Sequence, residues 1–312
     1  MDVVRLHQID GKWPNLALLK SAAYYKAHGY DVDWWRPLID LDSVDLLVLS
    51  KIFSEQAQLP PFPKGTEVLI GGTGMDITAK LSTEIEGMCP DYTMAPNWDS
   101  ALGFTSRGCV RHCKFCVVPA KEGAWRIVSE DITDFWTGQP SIKLLDNNLT
   151  DDEDHFLNIV GQCIARNVMV NVSQGLDVRL ITPIMARALA LTRQPGTPGR
   201  IHFAFDNMAL EPYVLKNVPM MVSHGIMPYR IMFFVLIGYN TTHEEDLYRV
   251  AVLDSLGVDA FAMPFDRTDP YQVDFARWCN NFAIHSTVTF DKYRRATRKI
   301  PKPIPGQQAM TL

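Results

Sequence analysis

Three cysteines stand within eight residues in the stretch Thr105-Ser-Arg-Gly-Cys-Val-Arg-His-Cys-Lys-Phe-Cys116. The stretch follows a short apolar run at 101–104, so a single loop after a strand can turn all three thiols towards one point. Thiolates gathered in this way bind soft metal centres. The spacing therefore predicts that Cys109, Cys113 and Cys116 are metal ligands.

Other interpretations of the cysteines are weaker. A zinc site needs a fourth Cys or His at a second short spacing, and the nearest candidate, His112, lies between two of the thiols. A disulfide framework is disfavoured because six cysteines in 312 residues are few and no secretory signal precedes them. A chance cluster of buried thiols remains open. Cys89, Cys163 and Cys279 are isolated and are predicted to be small buried residues.

Length and composition indicate a globular enzyme of the cytoplasm. A chain of 312 residues suggests two domains, and 47% of its residues are hydrophobic. No apolar run approaches the roughly 20 residues that cross a bilayer, so no membrane partner is expected. The net charge of −5 gives no overall attraction to nucleic acid. One basic cluster near the end is either a solvated tail or a phosphate-contacting one: Lys292, Arg294, Arg295, Arg298, Lys299 and Lys302.

The first hundred residues alternate between predicted strands and one helix. This order predicts a small Rossmann-like open sheet as a domain over 1–100. Leu16–His28 has apolar residues at helical spacing and ends before Gly29. The predicted strands are 3–6, 30–35, 45–50 and 67–74, the last ending in glycines.

From residue 101 the pattern is repeated strand and helix, which predicts a partial (β/α)6 TIM-like barrel over 101–290, followed by a tail over 291–312. Parallel strands bring their following loops to one edge, so the cysteine loop is expected at the carboxyl end of the barrel. The other predicted strands are 142–149, 168–175, 200–206, 230–238 and 258–265, and the predicted helices are 151–166, 183–191 and 243–256.

The C-x3-C-x2-C spacing, with Phe115 just before the last cysteine, resembles the signature of the radical S-adenosylmethionine (SAM) enzymes. Further blocks, such as Gly71-Gly-Thr-Gly74 and Gln174-Gly-Leu-Asp-Val-Arg179, resemble a set of Fe–S oxidoreductase-like radical SAM proteins frequent in phages. The resemblance implies a [4Fe–4S] cluster on the three cysteines and SAM on its open iron. It further implies reductive cleavage to a 5′-deoxyadenosyl radical, with one electron supplied by a flavodoxin- or ferredoxin-type partner.

The same resemblance assigns cofactor-binding positions at the strand ends. Asp146, Asn147 and Asn148 would accept from the SAM ammonium group, with a helix-capping cluster as the alternative. Gln174 and Arg179 end the next strand, and an arginine there would pair the SAM carboxylate unless it pairs Asp177 instead.

Three later positions complete the expected cofactor site. Asp206 would accept from the ribose hydroxyls, and Gly238 would let bare backbone approach the adenine. Met263 would support the adenine ring.

The amino-terminal domain resembles a degenerate cobalamin-binding fold. The usual D-x-H-x-x-G loop is absent after the first strand, where the chain reads His7-Gln-Ile-Asp-Gly-Lys-Trp-Pro14, so cobalamin is not expected. Tight turns are the favoured explanation of Gly71–Gly74, which lacks a phosphate-binding pattern.

The resemblance leaves the substrate unidentified. A nucleotide, a nucleic acid or another anionic compound is the favoured class, because of the basic tail and the general habits of the resembling family. Arg111, His112 and Lys114 make the cysteine loop basic and would steer such a substrate or tune the cluster potential, although a solvent-facing role for them is slightly preferred. A cobalamin-dependent radical methyltransferase and a non-catalytic Fe–S electron carrier are the alternatives.

Overall fold

The computed structural model describes residues 2–37, 39–40, 44–53, 61–62 and 64–297. The chain divides into two compact units, Met1–Ile201 and His202–Leu312. The predicted domain limits at 100 and 290 remain predictions. Arg298, Lys299 and Lys302 of the basic cluster lie outside the described residues.

A four-stranded parallel sheet, the N-terminal sheet, opens the first unit. Its spatial order is β2-β1-β3-β4. The first helix, α1, begins after Asn15, whose side chain accepts from the Leu18 amide at 3.2 Å and donates to the Ser50 hydroxyl at 2.8 Å. The elements are β1 (Val3–Gln8), α1 (Leu16–Ala27), β2 (Asp31–Trp34), β3 (Leu46–Ser50) and β4 (Glu67–Gly71), and they confirm the predicted strands and helix.

The core of the first unit joins this sheet to the next. Leucines of β1 and α1 pack together, each stabilising the fold by about 1.5–3 kcal/mol on burial. The same cluster reaches Leu102 in β5 (Ser100–Gly103). Its fully or nearly fully buried members are Val4, Leu6, Leu18, Leu19, Ala22, Val32, Met94 and Leu102.

A second parallel sheet, the central sheet, has the order β5-β8-β9. β8 is Ser141–Leu144 and β9 is Met169–Asn171, so both predicted strands are confirmed but are shorter than expected. A two-stranded antiparallel hairpin, β6 (Ser106–Arg107) with β7 (Arg126–Ile127), spans the cysteine loop and was not predicted. The helices that follow are α2 (Thr83–Glu86), α3 (Val118–Lys121), α4 (Glu153–Ala165) and α5 (Pro183–Leu191), with 3-10 turns at Tyr92–Met94, Ile132–Asp134 and Leu149–Asp151.

The second unit carries a third sheet, the C-terminal sheet, of order β10-β11-β12. Every second residue of β11 is buried, as a strand covered on one face requires. Helices α7 and α8 pack on its strands. The elements are β10 (Ile201–Ala204), α6 (Glu211–Ser223), β11 (Ile231–Ile237), α7 (His243–Ser255), β12 (Asp259–Pro264), α8 (Pro270–Cys279), α9 (Phe282–His285) and α10 (Phe290–Thr297), with 3-10 turns at Met208–Leu210 and Pro228–Arg230.

The fold class is therefore α/β with parallel sheets. The six strands predicted for one barrel lie in two three-stranded sheets within the described residues. Among the described helices, none is long and apolar enough to cross a bilayer.

Candidate functional site at the carboxyl edge of the central sheet

Asp146 fixes the start of the cysteine loop. It follows the carboxyl end of β8 and is 3% exposed. Its carboxylate accepts from the Thr105 amide at 3.1 Å, from the Thr105 hydroxyl at 2.6 Å and from the Ser106 hydroxyl at 2.7 Å, as well as from the Ser106 amide. A buried carboxylate with this many donors has the partners that its burial demands.

His155, on α4, extends this network. Its Nε2 lies 3.0 Å from the Thr105 hydroxyl, and both residues are buried. The hydroxyl has one proton and donates it to Asp146, so His155 Nε2 is the donor to Thr105. Burial lowers the pKa of His155, against the opposing charges of Asp146, Asp152 and Glu130. The folded protein therefore holds this ring neutral.

We expect the free energy of unfolding to fall as the pH drops below about 6.5, partly because of His155. The unfolded chain protonates this ring near pH 6.5, whereas the folded protein does so only at lower pH. The contribution of His155 is thus complete above about pH 6.5 and is lost below it, by at most about 1.4 kcal/mol per pH unit. Urea unfolding at about pH 7 and about pH 5 measures how much the free energy of unfolding falls between the two. This fall should be smaller for His155→Gln than for the unmodified protein. Equal losses would contradict this, since His7, whose pKa burial also lowers, is common to both proteins.

Gly108 allows the start of the cysteine loop to lie close to the backbone just before β7. Its φ is +81°, and a Cβ placed on it would lie 2.3 Å from the Ala124 carbonyl oxygen. Its amide donates to the Asn147 side-chain oxygen at 2.9 Å. Arg107, just before it, pairs Glu122 at 3.1 Å and Glu86 at 2.8 Å, which ties the hairpin to α3 and α2.

The Gly108→Ala substitution is expected to reduce the free energy of unfolding by about 1–3 kcal/mol more than Gly29→Ala does. Both glycines have φ near +80°, so both variants carry the same backbone strain. Gly29 has open space where its Cβ would stand, whereas Gly108 has backbone there. Urea denaturation of the two variants measures the difference. Equal losses of unfolding free energy would show that the backbone at Ala124 moves away from the new Cβ without destabilising the protein.

Cys109 is held by the polar residues that follow β8. Its sulfur accepts from the Arg111 amide at 3.3 Å and from the Asn148 side chain at 3.7 Å. Asn148 also donates to Asp151, and Asp151 accepts from the Val110 amide at 2.9 Å. Burial, with the nearby Asp151 and Cys113, raises the pKa of the Cys109 thiol and outweighs the opposing effect of the hydrogen bonds from the Arg111 amide and Asn148. Cys109 is therefore an anchored thiol.

Two arginines share one carboxylate beside the loop. Asp177 accepts from Arg179 Nε at 2.7 Å and from Arg111 Nε at 2.9 Å. Burial raises the pKa of Asp177, but its hydrogen bonds to the two arginines outweigh this and lower it overall. The alternative of an Asp177 partner for Arg179 is thus confirmed, and Arg111 is drawn into the same pair rather than facing only solvent.

A shallow depression lies at this edge of the sheet. Its cavity volume is only about 10 Å³, about enough for one water molecule, so it is a surface dimple and not a ligand pocket. Gln174 is exposed at its rim. The lining residues are Leu144, Asp146, Leu149, Val172, Gln174, Gly175 and Leu176.

The glycine turn after β4 packs on the loop after β3. A Cβ on Gly72 would lie 2.2 Å from the Lys51 carbonyl oxygen, and one on Gly74 would lie 2.1 Å from that of Phe53. These glycines allow backbone to approach backbone, which supports the tight-turn interpretation. His7 lies edge-on to Trp35 at 5.4 Å between ring centroids.

The three later positions belong to the second unit. Asp206 accepts from the Leu236 amide at 3.2 Å, Gly238 has a φ of +76° against the Gln272 side chain, and Met263 is 43% exposed on β12. The structure brings Asp146, Asn147, Asn148, Gln174 and Arg179 together with the cysteine loop in the first unit. Phe115 is a central residue of a turn in that loop. The cofactor roles of all these positions remain predictions.

Several residues of the network were not predicted from the sequence. Thr105 and Ser106 hold Asp146, His155 continues the chain of hydrogen bonds, and Asp151 orients Asn148. A threonine–serine pair before a glycine at a strand end was the available signal for the first two. His155 offered none, because it occupies an ordinary inward position of an amphipathic helix.

Comparison with known proteins gives no family. No family model matches the chain, and no curated protein does. The dihydropteroate synthase of Xanthomonas albilineans with 4-aminobenzoic acid is similar at 11% identity, over 84% of this chain and 70% of that chain, with a TM-score of 0.25. A triple mutant of Plasmodium falciparum HPPK-DHPS with pteroate is similar at 10% identity, over 84% of this chain and 38% of that chain, with a TM-score of 0.26.

A structure of HPPK-DHPS in complex with substrates is similar at 11% identity, over 88% of this chain and 41% of that chain, with a TM-score of 0.28. The chain thus spans about two fifths of the length of the two HPPK-DHPS chains. TM-scores of this size establish neither a shared fold nor a shared function.

The identification as a radical SAM protein was wrong, and so was the expected iron–sulfur centre. No family model or curated relative supports them. In the described part of the chain, no group of three or more His, Cys, Asp and Glu side chains is arranged to hold a metal ion. Cys109, Cys113 and Cys116 share a loop, but their side chains are not arranged there as a metal-binding group. The cysteines do not fit a [4Fe–4S] cluster, and no step is derived through one.

Proposed function

We propose that the chain is an enzyme that binds S-adenosylmethionine and an anionic substrate, a nucleotide or nucleic acid, at the carboxyl edge of the central sheet. The observation that carries the proposal is the set of polar and basic side chains gathered at that edge. Open parallel sheets bind ligands outside the carboxyl ends of their strands. Gln174, Arg111 and Arg179 all lie at this edge, next to the depression.

The donor set at the edge fits the chemical groups of S-adenosylmethionine. Gln174 provides an exposed amide, whereas the apolar lining residues Leu144, Leu149 and Val172 are almost fully buried. The guanidinium groups of Arg111 and Arg179 suit a carboxylate, although each already contacts Asp177. When bound, the cofactor supplies an electrophilic sulfonium centre. The residues of this chain would bind it and orient it.

The basic residues of the cysteine loop support an anionic substrate. His112 and Lys114 are exposed, and Arg111 stands beside them. The proposal excludes radical cleavage and an electron donor of the flavodoxin or ferredoxin type, because both depend on an iron–sulfur cluster. Cobalamin is not part of the proposal either.

The finer architecture is part of the same proposal. It comprises a small Rossmann-like domain over 1–100, a partial barrel over 101–290 and a basic tail over 291–312. The parallel order of the N-terminal sheet and the βα order of the later strands support it.

Equilibrium dialysis with labelled S-adenosylmethionine tests the cofactor. We expect Gln174→Ala to weaken binding about five- to tenfold, because it removes one hydrogen bond to the ligand. Asn97→Ala is the matched control, since Asn97 is also an exposed amide but lies at the amino end of β5. No binding at about millimolar ligand, or equal affinity for both variants, would refute the cofactor assignment.

The substrate class is tested separately with labelled mononucleotides and short oligonucleotides. Lys114→Gln should weaken their binding and reduce its dependence on salt, because one phosphate contact is lost. Lys64→Gln, an exposed lysine before β4, should leave binding unchanged. Equal effects of the two substitutions would show non-specific attraction only.

A further inference from the structure

Cys113 and Cys116 stand at the two ends of a tight turn. The Cys116 amide donates to the Cys113 carbonyl oxygen at 3.0 Å, and Lys114 and Phe115 are the central residues. In a turn of this kind the first and fourth Cα atoms lie within about 7 Å of each other. A disulfide spans Cα atoms roughly 4.4–6.8 Å apart. The backbone therefore already places these two cysteines at disulfide distance.

Both thiols of this pair can be reached from solvent. Cys113 and Cys116 are partly exposed, and all six cysteines of the chain are thiols. The Cys116 sulfur accepts from the Val118 amide at 3.5 Å. Arg179, whose main partner is Asp177, lies near both Cys113 and Cys109.

Cys109 differs from the other two thiols. Its sulfur is engaged by Asn148 and the Arg111 amide, and burial raises the pKa of its thiol. A thiol with a raised pKa forms less thiolate and reacts more slowly. Cys113 and Cys116, at the two ends of the turn, are therefore the two thiols expected to form a disulfide.

We propose that Cys113 and Cys116 form a dithiol site that exchanges with low-molecular-weight disulfides such as oxidised glutathione. The Cys113 thiolate attacks one sulfur of the small disulfide, forms a mixed disulfide and releases one small thiol. Cys116 then attacks the Cys113 sulfur, which closes the protein disulfide and releases the second small thiol. The protein dithiol loses two electrons and two protons, and the small disulfide gains them. This site goes beyond the proposed function and does not depend on it.

Peptide mapping of the full chain tests the proposal directly. The protein is equilibrated in glutathione buffers of stepped oxidised fraction, quenched in acid, alkylated and digested with trypsin. Cleavage after Arg107, Arg111, Lys114 and Lys121 puts each of the three cysteines on its own peptide. Mass spectrometry should find peptide 112–114 linked to peptide 115–121, in an amount that rises with the oxidised fraction.

Two outcomes on the unmodified protein would overturn the proposal. One is a main product in which peptide 108–111 is linked to peptide 112–114 or to peptide 115–121. The other is glutathione adducts alone, with no linkage between peptides. Cys113→Ser and Cys116→Ser should each abolish the linked peptide and leave one adduct, whereas the matched control Cys109→Ser should retain it. Retention of the linkage in either of the first two variants would also contradict the assignment.

Discussion

Asp146→Ala is expected to lower the free energy of unfolding by about 3–5 kcal/mol, because it leaves two buried amides and two buried hydroxyls without their acceptor. The four donors belong to Thr105 and Ser106, which are fully buried. His155, the other partner of Thr105, is itself a donor and cannot replace the carboxylate. Urea unfolding followed by circular dichroism measures the loss.

Asp154→Ala on α4 is the control for Asp146→Ala, since it removes an exposed carboxylate eight residues away in the same unit. It should change the free energy of unfolding by less than about 0.5 kcal/mol. A loss of under about 1 kcal/mol for Asp146→Ala would show that the loop does not depend on this carboxylate.

Asp246→Leu should destabilise the second unit by about 3–5 kcal/mol, because it leaves the buried guanidinium of Arg249 without its anionic partner. Asp246 and Arg249 are both 0% exposed, and Arg249 Nη2 donates to Asp246 Oδ1. Arg249 also donates to the Phe205 and Leu236 carbonyl oxygens, while Asp246 accepts from Thr241 at 2.7 Å. Burial lowers the pKa of Arg249, and Asp246 is the main charge opposing that shift.

Asp254→Leu on the same helix provides the comparison. Asp254 is about half exposed and contacts His285 at 3.0 Å, so its removal should cost less than about 1 kcal/mol. Thermal and urea unfolding of both variants would give the two losses. Similar losses would mean that water reaches the Asp246–Arg249 pair.

The sequence predicted the elements better than their grouping. The apolar run at 45–50 and the helix-like stretch at 183–191 led to β3 and α5 at or near their observed limits. The β6–β7 hairpin was missed because two-residue strands have no periodicity. The later strands were assigned to one barrel, since βα alternation looks the same whether consecutive strands share a sheet or divide between two.

Contacts between side chains that are close in the sequence were easier to predict than contacts between distant ones. Arg179 and Asp177 are two residues apart, so their pairing was a stated alternative and was confirmed. Asp146 was taken for a ligand acceptor because its partners, Thr105 and Ser106, lie about forty residues earlier. The three cysteines had the spacing of a metal site, but spacing along the chain does not fix where each sulfur is held.

The polar residues that follow β8 also set an order of events in folding. Asp146, Asn147 and Asp151 accept from the amides of Thr105, Ser106, Gly108 and Val110, across 39 to 41 residues of chain. All of these contacts join the segment after β8 to the segment after β5, its partner in the central sheet. Such non-local contacts form late, after the entropy of closing the intervening loop has been lost. We therefore expect the cysteine loop to take its shape late in folding, because residues that are synthesised after it hold it in place.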